Sequence, residues 1–322
     1  TAAKGGWSVL TTTVGGTIKA FTTFSAAAAT AMVAITKGAV ENYGDYEQLV
    51  GGVETLFGAG GQSLSEYAKG VGKTTTEAKD EYNNLIKAQE AVIEKANGAY
   101  KTAGMSANDY METVTSMSAA LIQSLDGDTV AAAEKADMAI TDMSDNANKM
   151  GSDIESIKNA YSGFAKANYT MLDNLKLGYG GTKEEMQRLL DDATKISGVK
   201  YDISQYGDIV DAIHVVQTEM GITGTTAKEA ATTIQGSIAS AKAAWTNLQT
   251  GLADENADLD ALVGELVDSV VTVIDNIAPR VMAAVPRILQ AVPQLITGLS
   301  GAAKELAGEA KGLGQSLIEP LT

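Results

Sequence analysis

The sequence predicts a mainly α-helical protein, a multi-helix bundle with short glycine-containing turns. All four prolines lie at or beyond residue 279, at positions 279, 286, 293 and 320. Apolar residues recur three and four apart between the turns, which is the period of an amphipathic helix. Many of the 33 glycines stand beside residues typical of helix caps. In such a fold, long helices could also pack between copies of the chain.

The stretch from residue 105 to residue 125, MSANDYMETVTSMSAALIQSL, has a clear helical pattern. Ser106 and Asp109 are spaced as a capping pair, because a side-chain oxygen at the first position can accept a hydrogen bond from the backbone three residues later. The apolar positions that follow are Tyr110, Val114, Met117, Leu121 and Leu125. Their spacing predicts one amphipathic helix.

The next stretch carries a longer apolar stripe, whose members alternate three and four residues apart. They are Ala133, Ala136, Ile140, Met143, Ala147, Met150, Ile154, Ile157, Tyr161 and Phe164. Such a stripe favours helix–helix packing, so we expect its three isoleucines to be buried. Gly151 is a typical helix end, and Ser152 with Glu155 is spaced as a new capping box. The sequence therefore predicts two helices with a break at Gly151.

Caps and glycines predict three more helices downstream. Thr182 with Glu185 opens one that ends at Gly198, and residues 204–221, SQYGDIVDAIHVVQTEMG, form the next. The third is opened by Thr226 with Glu229 and runs through Trp245 to Gly251. Residues 200–203, KYDI, are the one place where a short β-strand would fit.

Charge and composition exclude several classes of protein. The formal net charge of −16 excludes tight nucleic-acid binding, since phosphate recognition needs clustered lysine and arginine. The chain has no cysteine and one histidine, His214. It therefore lacks a disulfide framework, and a zinc site would need carboxylates almost alone. We interpret His214 as a packed helical residue, because no Gly-x-Ser-x-Gly sequence accompanies it.

Two acidic runs could attract calcium, DGD at residues 126–128 and DENADLD at residues 254–260. Neither has the glycine and terminal-glutamate spacing of an EF-hand loop. We therefore interpret them as solvated turns and helix N-caps. No catalytic, metal-binding or cofactor-binding residue is assigned, and the sequence predicts a protein that is not an enzyme.

Residues 70–75, GVGKTT, match half of a phosphate-binding loop. The full loop needs Gly-x-x-x-x-Gly-Lys-Ser/Thr between a buried strand and a helix. Tyr67 occupies the position of its first glycine, and no apolar run precedes the motif. The variant Lys-Gly-Gly-x-Gly-Lys-Thr is also one glycine short. A glycine-containing joint is therefore favoured over a nucleotide-binding switch, with Thr74–Thr76 capping a helix that begins near Glu77.

Three domains are predicted: an apolar Ala/Gly/Thr-rich helical segment at residues 1–45, a helical domain at 46–258, and an apolar proline-kinked segment at 259–322. In the first, residues 7–35 carry a single charge, Lys19, and are long enough to cross a bilayer. In the last, Pro279, Pro286 and Pro293 are seven residues apart, which places the kinks on one side of the helix. Membrane contact and packing as buried or oligomeric helices both remain open for these segments.

Four long stretches resemble the N-terminal domain region of the tape measure proteins of long-tailed bacteriophages and prophages. They are residues 46–58 (YEQLVGGVETLFG), 99–125 (AYKTAGMSANDYMETVTSMSAALIQSL), 136–193 and 212–251. Together they cover most of residues 46–251. Long matches in the same order are more specific than any three-residue motif, although no single residue in them performs chemistry. The domain predicted at 46–258 is accordingly tape-measure-like.

The resemblance implies a structural protein of the phage tail, a fragment of a tape measure protein that acts in tail assembly, tail-length determination and DNA ejection. It implies several copies in the tail lumen, and hence a homo-oligomer. The implied partners are tail tube and tail tip proteins and tail assembly chaperones, with host membrane contact during ejection. The expected location is the tail lumen of the virion, and the host cytoplasm during assembly.

Some members of that family carry peptidoglycan-cleaving domains, but this sequence contains no peptidase or glycosidase pattern. The glycines forbid one continuous helical rod, because each interior glycine costs about 1 kcal/mol relative to alanine. We therefore expect a compact anchoring region rather than the ruler itself. The chain begins at Thr1 without an initiator Met, so we expect it to be either a processed chain or a piece of a longer protein, and we favour the second. The alternative function is a membrane-active translocation or pore-forming protein built on the two apolar segments.

Overall fold

The computed structural model describes residues 17–279, with side chains from residue 37 onward. The helices are α1 (Thr17–Leu56), α2 (Leu64–Gly70), α3 (Thr75–Thr102), α4 (Ala107–Ser124), α5 (Thr129–Met150), α6 (Ile154–Phe164), a 3₁₀ helix (Leu172–Leu175), α7 (Lys183–Ser197), α8 (Tyr206–Glu219), α9 (Thr225–Thr232) and α10 (Ile234–Gly251). The chain divides into two compact units, Thr1–Val270 and Val271–Thr322. Residues 259–270 of the first unit and 271–279 of the second are also helical.

The prediction of a mainly α-helical bundle is confirmed, since no residue between 17 and 279 lies in a β-strand. Helix α5 is central to the first unit and contacts α3, α4, α6, α8 and α9. The apolar core surrounds it, because one helix can bury more than one face only when neighbours cover each of them. Helix α1 packs on α4 and α10. The boundary predicted between residues 45 and 46 lies within this helix, which continues through both residues without a break.

The predicted helix over residues 105–125 is confirmed as α4. Its N-cap is Ser106, whose hydroxyl accepts a hydrogen bond from the Asp109 backbone. Tyr110, Val114 and Met117 are buried in the main core. The periodic apolar positions are therefore the ones that face the core, as an amphipathic helix requires.

The predicted break at Gly151 is also confirmed. Helix α5 ends at Met150, and Gly151 adopts a left-handed conformation with φ of 61°, which glycine reaches at little cost. The predicted Ser152–Glu155 box is wrong by one residue, because Asp153 is the N-cap of α6 and accepts from the Ser156 backbone. The hydroxyl of Ser152 instead donates to the carbonyl of Asn174.

The apolar stripe faces the core for most of its length. Ile140 and Ile157 are fully buried, and both belong to the main core. Ile154 was predicted to be buried like the other two isoleucines, but it is only partly buried against that core. It is the first residue of α6, where the chain has just left the surface turn that follows α5.

The helix predicted from Thr226 to Gly251 is in fact two helices, α9 and α10. They are separated at Thr233, which has an extended backbone and whose hydroxyl accepts from the Gly236 backbone. A Cβ at Gly236 would collide with the carbonyl of Glu229, so the chain can bend this tightly only because residue 236 is glycine. The other two downstream helices are confirmed as α7, capped by Thr182, and α8.

The short strand considered for residues 200–203 is absent. The carboxylate of Asp202 accepts from the backbone and hydroxyl of Ser204, while the Asp202 backbone donates to Asp208. The carbonyl of Ile203 accepts from the Tyr169 hydroxyl. These backbone groups are therefore satisfied by side chains, and no neighbouring strand is available to form a ladder.

Much of the two predicted apolar segments falls outside the described residues. Residues 1–16 and 280–322, including Pro286 and Pro293, are not described, nor are the side chains of residues 17–36. Among the helices that the structure does describe, none is both long enough and apolar enough to cross a membrane.

Candidate functional site

The GVGKTT motif forms a joint between two helices. Helix α2 precedes it, Gly72 has a φ of 69°, and Thr74 is the N-cap of α3 in a capping box with Glu77. The predicted capping role of Thr74 is therefore confirmed, although the helix begins at Thr75. Lys73 forms an exposed ion pair with Glu81, with 2.7 Å between Nζ and Oε2. The segment before the motif is helical, whereas a phosphate-binding loop follows a strand.

The acidic runs also form turns and caps, as predicted. Asp128 caps α5 by accepting from the Ala131 backbone. Asp254 accepts from Asn256, and Asp258 accepts from Ala261. Within residues 17–279, no three acidic or histidine side chains are grouped so that they could hold a metal ion.

A group of mostly buried polar side chains lies on α5 and α8. We call it the polar cluster, and it consists of Asp142, Asp145, Asn146, His214 and Gln217. Apart from His214, each of these side chains is fully buried. Burying a charged or polar group is costly unless it gains partners, so the partners of these side chains show what the cluster does.

His214 and Asp142 join α8 to α5. The Nδ1 atom of His214 lies 3.0 and 2.9 Å from the two carboxylate oxygens of Asp142. This hydrogen bond raises the pKa of His214, because it favours the charged imidazolium. Burial raises the pKa of Asp142, and the bond to His214 opposes that shift. The interpretation of His214 as a packed helical residue agrees with its place in α8, but its ring is one third exposed and its partner is a buried carboxylate.

Asp145 caps a helix that is distant in sequence. Its Oδ2 accepts from the Gly224 backbone at 2.5 Å, and its Oδ1 accepts from the Thr226 backbone at 2.7 Å. Helix α9 has no capping side chain next to it in sequence. A carboxylate at a helix N-terminus satisfies free N–H groups and opposes the positive end of the helix dipole. The capping role predicted for Thr226 is therefore performed by Asp145.

Asn146 holds the 3₁₀ helix, since its Nδ2 donates to the carbonyl of Leu175 at 2.9 Å. The side chain of Gln217 and the hydroxyls of Tyr161 and Tyr206 are also buried, and Gln217 interacts with the Tyr161 hydroxyl. Burial raises the pKa of Tyr161 well above its ordinary value and that of Tyr206 as well, so both phenols stay neutral. The cluster thus positions α8, α9 and the 3₁₀ helix around α5.

Sequence reasoning did not single out Asp142, Asp145 and Asn146. A signal was available, because polar residues three or four apart next to an apolar stripe form a stripe of their own on the helix. That pattern alone is typical of a solvated face. Only the packing of α8 and α9 against α5 shows that these side chains are buried.

The polar cluster predicts that the free energy of unfolding falls as the pH rises above about 6.5, the ordinary pKa of histidine. The pKa of His214 is raised in the folded protein, so its contribution is fully present below the unfolded value of about 6.5 and is lost as the pH passes the folded value. The raised pKa of Asp142 lowers stability in the same direction, but its contribution begins to fall above the unfolded value of about 3.9. Urea unfolding at a series of pH values measures the effect.

The control for this prediction is His214→Asn, which keeps an N–H near Asp142 but does not titrate. We expect a smaller fall of stability over the same pH range in this variant. Neighbouring charges, namely Asp145, Asp211 and the Lys135 that pairs with Asp211, are the same in both proteins. Equal pH dependence in the two proteins would contradict the assignment to His214.

Comparison of the chain with protein-family models, with curated proteins and with solved structures finds no match.

Proposed function

We propose that this chain is a structural, non-enzymatic segment of a phage tail, part of a tape measure protein that acts in tail assembly, tail-length determination and DNA ejection. In this proposal several copies lie in the tail lumen of the virion, next to tail tube and tail tip proteins. Assembly takes place in the host cytoplasm with tail assembly chaperones, and ejection brings the protein to the host membrane. The chain serves as a compact anchor of the tape.

The observation that carries this proposal is where the tape-measure-like stretches lie in the fold. All four fall within the compact unit Thr1–Val270, and each contributes to helices that pack against other helices of that unit. A fully helical chain of 322 residues would span about 480 Å at about 1.5 Å per residue. The 40 residues of α1 span only about 60 Å on the same basis. A chain folded in this way suits an anchor better than a ruler.

The charge of the chain supports the same role. Its formal net charge is −16, and a negatively charged plug repels the phosphate backbone of DNA that must later pass through the channel. The polar cluster supports it too, because it ties helices from distant parts of the chain into one unit. An anchor of this kind would resist being drawn out along the tube.

Tail length tests the proposal. A flexible insert of about ten residues between Val199 and Lys200 should leave tail length unchanged to within one ring of tube subunits, because a surface turn absorbs it. Both residues are exposed and follow the C-cap of α7 at Gly198. Gly224 is a poorer place for the insert, since its backbone is held by Asp145. Negative-stain microscopy of tails measures the lengths.

The matched control is an in-frame helical insert of the same size in a long helical part of the parent protein, which should lengthen the tail by about 1.5 Å per residue. If the insert after Val199 lengthens tails in the same proportion, the segment is extended along the tube and the anchor proposal is wrong. If an otherwise folded chain is absent from assembled tails, the phage-tail proposal itself is wrong.

A further inference from the structure

Helix α9 is held by few contacts compared with the helices on either side of it. Ala230 is its one buried residue, whereas α8 and α10 bury eight residues each. A helix of eight residues is also too short to be stable by itself in water. A segment with few buried contacts opens at a lower free energy than the rest of a fold, so α9 is a candidate for local opening.

Both ends of α9 are bounded by residues that lie outside helical conformations. On the N-terminal side, Gly221 and Gly224 have φ values of 64° and 81°, with open space beside each α-carbon. On the C-terminal side, Thr233 has an extended backbone. Hinges are usually a few residues at the ends of an element that absorb changes of backbone angle, and glycine does so at little cost. The segment 225–232 therefore lies between two hinges.

Asp145 of α5 makes polar contacts that hold the start of α9. Its carboxylate accepts from the backbones of Gly224 and Thr226, and its carbonyl accepts from the Thr225 hydroxyl at 3.4 Å. Asp145 is fully buried, and a buried carboxylate is costly without such partners. The position of α9 and the burial of Asp145 therefore depend on each other.

Two hydroxyl groups beside this contact are buried without a hydrogen-bond partner. They belong to Ser144 and Thr226, and both residues line a cleft of about 500 Å³ together with Ala230. Leaving a buried hydroxyl unsatisfied is unfavourable, and water would reach both groups once α9 moved away from α5. The closed arrangement therefore carries a cost that opening removes.

We propose that α9 is a hinged flap that closes over α5. It swings about the turn at Gly221–Gly224 and about Thr233, and Asp145 is the latch that keeps it closed. Opening uncovers the surface of α5 around Ser144 and Asp145, while α5, α8 and α10 stay folded. This motion is a property of the folded chain and does not depend on the phage-tail proposal.

Thiol labelling of the full chain tests the flap, because the chain has no cysteine of its own. Ser144→Cys places a thiol at the surface that the flap covers, and Ser118→Cys places one at a fully buried position of α4 that does not line the cleft. We expect a disulfide reagent to modify position 144 at a rate that depends weakly on urea, since local opening exposes little surface. Position 118 should react more slowly, with the urea dependence of global unfolding. Equal rates and equal urea dependence at the two positions would overturn the flap.

Adding Asp145→Ala to the Ser144→Cys chain tests the latch. Labelling of position 144 should become about tenfold faster or more, and its urea dependence should stay weak. Asp145→Asn keeps one oxygen that can accept a hydrogen bond, so it should accelerate labelling less than Asp145→Ala does. If labelling of position 144 is as slow with alanine at position 145 as with aspartate, Asp145 is not the latch and the proposal is wrong.

Hydrogen exchange of the unmodified chain tests the flap without any substitution. The amides of Lys228 and Thr233 donate to the carbonyls of Gly224 and Glu229. We expect them to exchange with weak urea dependence, whereas the buried amides of α8 should exchange only through global unfolding. If the amides of α9 have the same urea dependence as those of α8, then α9 opens only when the whole unit unfolds, and there is no flap.

Discussion

Replacing Ile157 by aspartate is expected to lower the free energy of unfolding by about 4 kcal/mol or more. Ile157 is fully buried in the main core, and its helix, α6, contacts α4 and α5. The change removes buried apolar surface and introduces a carboxylate into an apolar contact, where it has no partner. Urea unfolding of the variant and the parent chain measures the difference.

Asn159→Asp is the matched control, because it introduces the same side chain two positions away on the exposed side of α6. It should change stability by no more than about 0.5 kcal/mol. Ile154→Asp should fall between the two, since Ile154 is only partly buried. Lys158 is a poorer control, because its side chain is 19% exposed and pairs with Glu155. Similar costs for positions 157 and 159 would mean that α6 is packed in another orientation.

Replacing Asp145 by alanine is expected to cost about 3 kcal/mol or more. The change removes two charge-assisted hydrogen bonds to the backbone of Gly224 and Thr226 and leaves the start of α9 without a cap. Hydrogen bonds to a charged group contribute about 1.5–3 kcal/mol each. The amides at the start of α9 should also exchange with solvent faster, because the end of this helix is then free to open.

Asp128→Ala is the control for this prediction. Asp128 caps α5 from an exposed position and accepts one backbone hydrogen bond. Loss of such a cap costs about 1 kcal/mol, and it should not affect hydrogen exchange in α9. If the two substitutions cost the same, or if exchange in α9 is unchanged by Asp145→Ala, Asp145 does not hold this helix.

Helix ends that depend on neighbouring residues were predicted well from the sequence. Ser106 and Thr182 cap α4 and α7 with an oxygen that reaches a backbone three residues away, and Gly151 and Gly198 end α5 and α7 in left-handed conformations. Such a cap is complete within one turn of the chain, so its sequence spacing is enough to recognise it.

The start of α9 shows where that reasoning fails. Thr226 and Glu229 have the spacing of a capping box, but the cap comes from Asp145, 79 and 81 residues away from the backbone groups that it binds. The start of α4 also has a partner that is distant in sequence, because the backbone N–H of Ala107 donates to the side-chain oxygen of Asn247, 140 residues away. A side chain that competes from another helix can replace a local cap without any trace in the local sequence.

By itself, the sequence determined the helical class of this protein, the apolar faces of α4, α5 and α6, and the helix ends that are capped locally. These follow from periodicity and from turn chemistry, which act over three or four residues. Only the tertiary structure decided that Asp142 and Asp145 are buried, that His214 pairs with a carboxylate of another helix, and that α9 and α10 separate at Thr233. Each of these features depends on which helices pack together. That packing is set by the sum of many weak contacts between residues far apart in the chain, so a short stretch of sequence does not reveal it.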